Sequence, residues 1–172
     1  MSGHVIISHG LQSSPESSKA VALAQACDLL GWSCERPDYQ DLDAQKPPLG
    51  DVEARIRRLQ SLVEGINGPV VLAGSSMGAF ISAQVSMQVP VRGLFLMAPP
   101  IHLDGYEMRL QTAAVPLSVV HGWHDELIPA DDVAQWARQR QARICLVNDD
   151  HRLSAHVDYV AQQFALFLGG LE

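Results

Sequence analysis

Residues 68–80 read GPVVLAGSSMGAF, a short apolar run that enters a turn of small residues and leaves it as a second apolar run. Val70, Val71 and Leu72 have the character of a buried strand, and the AFISAQVSMQV after Gly78 has that of a helix rich in small residues. Between them Gly74, Ser75, Ser76, Met77 and Gly78 fit the pattern GxSxG. In such a strand–turn–helix elbow the serine takes a strained backbone conformation, and side chains two positions to either side would collide with the neighbouring strand and helix. Glycine at 74 and 78 avoids both collisions. The turn lifts the Ser76 hydroxyl clear of the sheet. It also aims the first N–H groups of the helix, that of Met77 among them, at a developing negative charge. A serine that merely caps its helix produces the same letters, so the motif must be weighed with its surroundings.

Upstream, His4 to Ser8 reads as a strand, and the serines of the following HGLQSSPES can cap a helix running from about Glu16 to Leu30. Val21, Leu23, Ala24, Cys27, Leu29 and Leu30 form its apolar side, and Gly31 ends it. A short strand from Trp32 to about Arg36 leads into DYQDLDAQKPPLGD, whose prolines discourage regular structure. Asp51 to Ile66 is an amphipathic helix in which Arg55, Arg57 and Arg58 read as a solvated basic face. Downstream, strands are expected at Gly93–Ala98, Leu117–His121 and Arg143–Val147, with a helix at Ala130–Arg140. Ser154 can cap a last helix that carries Val157, Val160, Phe164, Phe167 and Leu168 on one face. Residues 101–116 look irregular or briefly helical. Strands that alternate with crossover helices imply a mostly parallel α/β sheet of about six strands with helices on both faces. Reactive loops in such sheets gather beyond the carboxyl ends of the strands.

With 172 residues, no internal repeat and no linker, the chain reads as one domain over residues 1–172. Nineteen acidic against twelve basic residues give a net charge of −7, which argues against nucleic acid or an anionic membrane as partner. Cys27, Cys34 and Cys145 lack CxxC spacing and are odd in number, so they fit reduced thiols better than a disulfide framework or a zinc site. The N-terminal segment has no basic residue before Lys19 and only a short apolar run, unlike a signal peptide, and no segment is long enough to span a membrane. A cytoplasmic location is the expectation.

Four of the loops that follow strands carry polar groups suited to chemistry: His9 and Gly10, then Ser76, then Asp125, then His151. Taken together, GSSMG at 74–78, HGWHDELIP at 121–129 and DDHRL at 149–153 make the chain resemble an α/β-hydrolase from His4 to the last helix. The resemblance implies an α/β-hydrolase fold in a small form that lacks two early strands, with a 101–116 segment too short for a cap domain. It implies that Ser76 attacks a carbonyl carbon, that His151 takes and later returns the proton, and that Asp125 holds the imidazole in the required tautomer. Backbone N–H groups of Leu11 and Met77 would form the oxyanion hole. Glu126 is a rival acid and His156 a rival histidine. His102, His121 and His124 could suggest a metal, but His121 and His124 lie at a strand end without helical ligand spacing and the serine motif needs none. His9 is expected to shape the oxyanion loop. Asp150 stands where relatives often have glycine, which bears on the conformation of the His151 loop.

Leu11, Met77, Met97, Ile101, Trp123 and Leu127 are candidates to line an apolar acyl site, with Trp123, Met97 and Ile101 as the substrate-binding assignments. The expected activity is cofactor-free hydrolysis of a carboxylic ester, or of a thioester, on a small or exposed acyl substrate through an acyl-enzyme. Two other readings compete: a binding or regulatory protein that keeps the hydrolase fold without its chemistry, and a serine peptidase.

Overall fold

The inner strands form because their residues are apolar on both sides, and the sheet they build is covered on both faces. In the computed structural model, which describes residues 2–172, the elements in chain order are β1 (His4–Ser8), α1 (Ser18–Leu30), β2 (Ser33–Glu35), α2 (Gln40–Asp43), α3 (Val52–Glu64), β3 (Val70–Ser75), α4 (Met77–Ser86), β4 (Gly93–Met97), β5 (Leu117–Gly122), α5 (Ala130–Gln139), β6 (Arg143–Val147) and α6 (Val157–Gly169), the last preceded by a 3-10 turn at Ser154–His156. The six strands lie in the order β2-β1-β3-β4-β5-β6, and every pairing is parallel. All the expected strands are present.

Alternation along each strand divides the core into two layers. Ile6, Leu72, Leu94, Leu96 and Val119 pack with residues of α3, α4 and α5. Val5, Ile7, Val71, Ala73, Phe95, Met97 and Val120 pack against α1 and α6 on the other face. Phe95 meets Phe164 of α6 edge-on, with ring centroids 5.1 Å apart, a geometry that adds to the burial of both rings. Residues 101–116 do not rise above the sheet as a cap. Leu110 is buried, and its carbonyl accepts from the Trp136 indole at 3.0 Å, so the segment is pinned down on α5. Among the described residues no helix is long and apolar enough to cross a membrane.

Several local expectations need correction. Helix α1 starts at Ser18 rather than Glu16, with the Ser17 hydroxyl accepting from the Ala20 N–H, and Leu29 near its end is exposed. The loop expected to be irregular contains one turn of helix, α2, ahead of its two prolines. Ser154 does not cap the last helix; the Asp149 carboxylate reaches the Ala155 N–H instead, at 3.0 Å. Arg55 is not on a solvated face but fully buried.

Candidate active site

At the carboxyl edge of the sheet, β3 breaks into α4 through Ser76, whose φ of 53° and ψ of −115° are strained for a residue with a side chain. The tightness of the elbow explains its glycines. A Cβ on Gly74 would sit 2.2 Å from the Gly78 carbonyl oxygen, and one on Gly78 would sit 2.0 Å from that of Ser8 on β1. Both contacts are backbone against backbone, so no rotamer change relieves them. Gly78→Ala is therefore expected to destabilise the fold by about 3 kcal/mol, read as a lower urea midpoint. An unchanged midpoint would mean that the elbow has room that the packing denies.

The acid loop leaves β5 and the histidine loop leaves β6, and the two touch through their backbones: the His124 N–H donates to the Asp149 carbonyl at 3.0 Å. Gly122 permits this approach, since a Cβ there would meet the Asp149 oxygen at 2.3 Å. Asp125 Oδ1 accepts from the N–H groups of Leu127 at 2.9 Å and Ile128 at 2.8 Å. Its Oδ2 accepts from His151 Nδ1 at 2.7 Å, and the Asp125 side chain has no exposed surface. His151 Nε2 is then left unprotonated and lies 3.0 Å from Ser76 Oγ, positioned to accept the hydroxyl proton. The structure thus brings together Ser76, His151 and Asp125 from three separate loops.

The other histidines have separate partners. His156 lies in the 3-10 turn ahead of the last helix, where Nδ1 pairs with Asp149 at 2.8 Å and steadies the histidine loop. His124 Nε2 bonds the Asn148 side chain at 2.8 Å. His121 Nε2 donates to the Ile128 carbonyl at 2.9 Å and lies 3.3 Å from Asp125 Oδ2. Asp150 turns its carboxylate onto the Arg152 N–H at 3.0 Å, within its own loop. Glu126 is exposed, on the rim of the cavity around Ser76.

That cavity, about 630 Å³, is lined by Gly10, Leu11, Ser76, Leu127 and His151 on the reactive side and by Gln12, Ser13, Ser17, Lys19 and Arg152 beyond it. Its wall is more polar than the apolar acyl site expected. Ile101 lines a second recess of about 290 Å³ with Leu103, Leu127 and Ile128, so Leu127 borders both. Met97 is 1% exposed in the core layer under α1 and α6 and offers no surface to a ligand. Its carbonyl instead accepts from the Ser76 N–H at 2.9 Å. Trp123 is 52% exposed on the acid loop. Met77, as the first residue of α4, has an N–H with no intrahelical acceptor.

Sequence reasoning missed Arg55, which reaches the loop after β1 and bonds the His9 carbonyl at 2.8 Å. A signal was present: Val52, Arg55, Leu59 and Val63 are the buried positions of α3, spaced as one helical stripe, and Arg55 lies on it.

The electrostatics of the site set its response to acid. Burial holds His9 and His121 below the ordinary imidazole value. Burial would raise the Asp125 carboxyl, but the bonds from His151 and the Ile128 and Leu127 amides outweigh it and hold the group below its usual range. In each case the unfolded chain binds the proton more readily, so acid favours unfolding. The stabilisation is complete above the unfolded histidine value of about 6.5, shrinks below it, and is lost further as pH falls below about 3.9, the unfolded aspartate value, and through the folded one. Urea midpoints should therefore already decline between about pH 7 and 5. A midpoint that stays constant over that interval contradicts the two buried neutral imidazoles.

The sequence matches the alpha/beta hydrolase domain family over residues 2–163. The chain belongs to the α/β-hydrolase superfamily. Among solved structures of this superfamily, a protein from Xanthomonas campestris pv. campestris is 52% identical, with a TM-score of 0.95 and coverage of 98% of this chain and 99% of that one. An alpha-beta serine hydrolase homologue from Coxiella burnetii is 22% identical with a TM-score of 0.80, covering 96% of this chain and 85% of that one. A second Xanthomonas campestris protein, XC6422, described as an α/β serine hydrolase without lid, is 18% identical with a TM-score of 0.75, covering 98% and 81% respectively. No curated protein matches the sequence. The six parallel strands, the helices on both faces and the absence of a cap among the described residues are those of a small, lidless α/β-hydrolase.

Proposed function

We propose that the protein is a cytoplasmic serine hydrolase that cleaves carboxylic esters, with thioesters as a variant, through an acyl-enzyme on Ser76. The observation that carries this reading is the continuous path from Ser76 Oγ to His151 Nε2 at 3.0 Å and from His151 Nδ1 to Asp125 Oδ2 at 2.7 Å. His151 accepts the serine proton as the hydroxyl attacks the acyl carbon, and then delivers it to the leaving alcohol or thiol. Water repeats the sequence to release the acid. Met77 and Leu11 supply the N–H donors to the oxyanion.

The cavity beside Ser76 mixes polar and apolar lining and has no cap over it among the described residues, which favours a short, soluble acyl substrate over a long lipid chain. The test is a panel of acyl esters and thioesters of graded chain length, run beside labelling by a fluorophosphonate. Turnover of short esters with stoichiometric labelling, both lost in Ser76→Ala, supports the reading. Absence of labelling in folded protein points instead to a binding module that kept the fold, and turnover restricted to lipid interfaces removes the short-chain assignment.

A further inference from the structure

Arg55 has no exposed side-chain surface, while Arg57 on the same helix is exposed. Burying a guanidinium is costly unless its donors are used, and here each of its three nitrogens donates. Nε and Nη2 form a two-pronged bond to the Asp43 carboxylate, each prong 2.7 Å. Nη1 donates to the His9 carbonyl at 2.8 Å and Nη2 to the Gly10 carbonyl at 3.2 Å. The guanidinium also stacks over the Tyr39 ring, 4.5 Å from its centre. Tyr39 in turn donates its N–H to His9 Nε2 at 2.9 Å, which leaves His9 Nδ1–H to donate to the same Gly10 carbonyl at 2.7 Å. The Ser13 N–H closes on that oxygen at 3.3 Å.

These partners converge on one peptide group. In a trans peptide the C=O and N–H point in opposite directions, and the Gly10–Leu11 bond is trans. With the Gly10 oxygen drawn inward, the Leu11 N–H must face outward, where Gly10 and Leu11 border the cavity that holds Ser76. The approach is close: a Cβ on Gly10 would lie 3.6 Å from the Ser76 Cβ.

We propose that Arg55, oriented by Asp43, is a positioning residue that fixes the Gly10–Leu11 peptide and so aims the Leu11 N–H at the oxyanion formed on Ser76. The proposal rests on the serine-hydrolase reading of the site. Turning this peptide over would break the three bonds that its oxygen accepts, from the buried Arg55 cation, from His9 Nδ1 and from the Ser13 N–H, so the donor is set before substrate arrives, which is the condition under which such a donor lowers a barrier most. A lysine at 55 lacks the planar fork and cannot hold Asp43 and both carbonyls together.

The test compares the wild type, Arg55→Lys and the double variant Arg55→Met/Asp43→Asn, in which neither charge is left unpaired. Each is assayed for kcat and KM on a short-chain nitrophenyl ester, for affinity toward an arylboronic acid that forms an anionic tetrahedral adduct with serine, and for Tm. The expected result is a drop in kcat and in boronate affinity of about 100-fold in the double variant, with KM within about threefold. Arg55→Lys should lie between it and the wild type. A folded double variant with wild-type kcat and boronate affinity overturns the proposal, as does a loss confined to KM. Should the double variant fail to fold, Arg55→Lys decides by the same readouts. A wild-type protein that neither hydrolyses esters nor binds the boronate removes the hydrolase reading itself, and the positioning role with it, whereas an active wild type with indifferent variants removes only the role of Arg55.

Discussion

Ser76→Ala is expected to lower kcat for ester hydrolysis by about six orders of magnitude. The size follows from what the residue supplies on the proposed mechanism: the attacking oxygen, without which His151 has no proton to accept and no acyl-enzyme forms. The adjacent Ser75 does not replace it, since it is the last residue of β3, where backbone pairing opposite Met97 sets its direction. The fold should survive. Alanine inherits the same positive φ at the elbow, the Phe80 N–H still reaches the carbonyl of residue 76 at 3.1 Å, and the lost hydroxyl is only partly buried. Tm should therefore stay close to that of the wild type, and a slow residual hydrolysis should persist where Leu11 and Met77 still stabilise attack by water. Initial rates over long incubations, together with the mass of the fluorophosphonate adduct, give the measurement. Retention of more than about one per cent of kcat would place the nucleophile elsewhere.

Why so much of this could be read from residues alone has a physical basis. Gly74 is needed by a backbone contact with Gly78, four residues on, and a constraint that local leaves a local pattern, which Gly78 completes although its own need comes from the Ser8 carbonyl of β1. Asp125 and His151 follow strands whose apolar runs announce themselves, so their places at the carboxyl edge of the sheet follow from strand order. The missed features depend on contacts made far along the chain. Arg55 is buried because Asp43 and the His9 and Gly10 carbonyls converge on it, and a helix pattern that treats arginine as solvated cannot register that. Helical spacing nonetheless put position 55 on the buried stripe. Met97 was open to a parity argument: it shares its face of β4 with Phe95, which packs against α6, while Leu94 and Leu96 face the other layer. The cap at Ala155 comes from Asp149, six residues earlier and across a turn, where a nearby serine is the simpler guess.

Asp125→Asn should cut kcat by about four orders of magnitude on the proposed mechanism, and the surroundings of this residue say how. The Leu127 and Ile128 N–H groups both point at Oδ1. In the variant only the amide oxygen can satisfy two donors, so the NH2 group is forced into the place of Oδ2, facing His151 Nδ1 at 2.7 Å. Two donors cannot share that contact. His151 must give up the Nδ1 proton and carry it on Nε2, where it points at Ser76 instead of accepting from it. The imidazole keeps its place but loses its use as a base. His121 Nε2, 3.3 Å from the same carboxylate oxygen, then also faces an NH2 group, so the folded state should lose about 1–3 kcal/mol as well. KM should hardly move, because none of these atoms contacts the acyl group in the proposed complex. The measurements are kcat and KM on the preferred ester, with the urea midpoint on the same samples. A variant with near-wild-type kcat would transfer the acid's role, with exposed Glu126 on the same loop the first residue to examine. A variant with lowered kcat and an His151 that still carries its proton on Nδ1, read from the imidazole nitrogen shifts, would mean that the loss comes from something other than the tautomer.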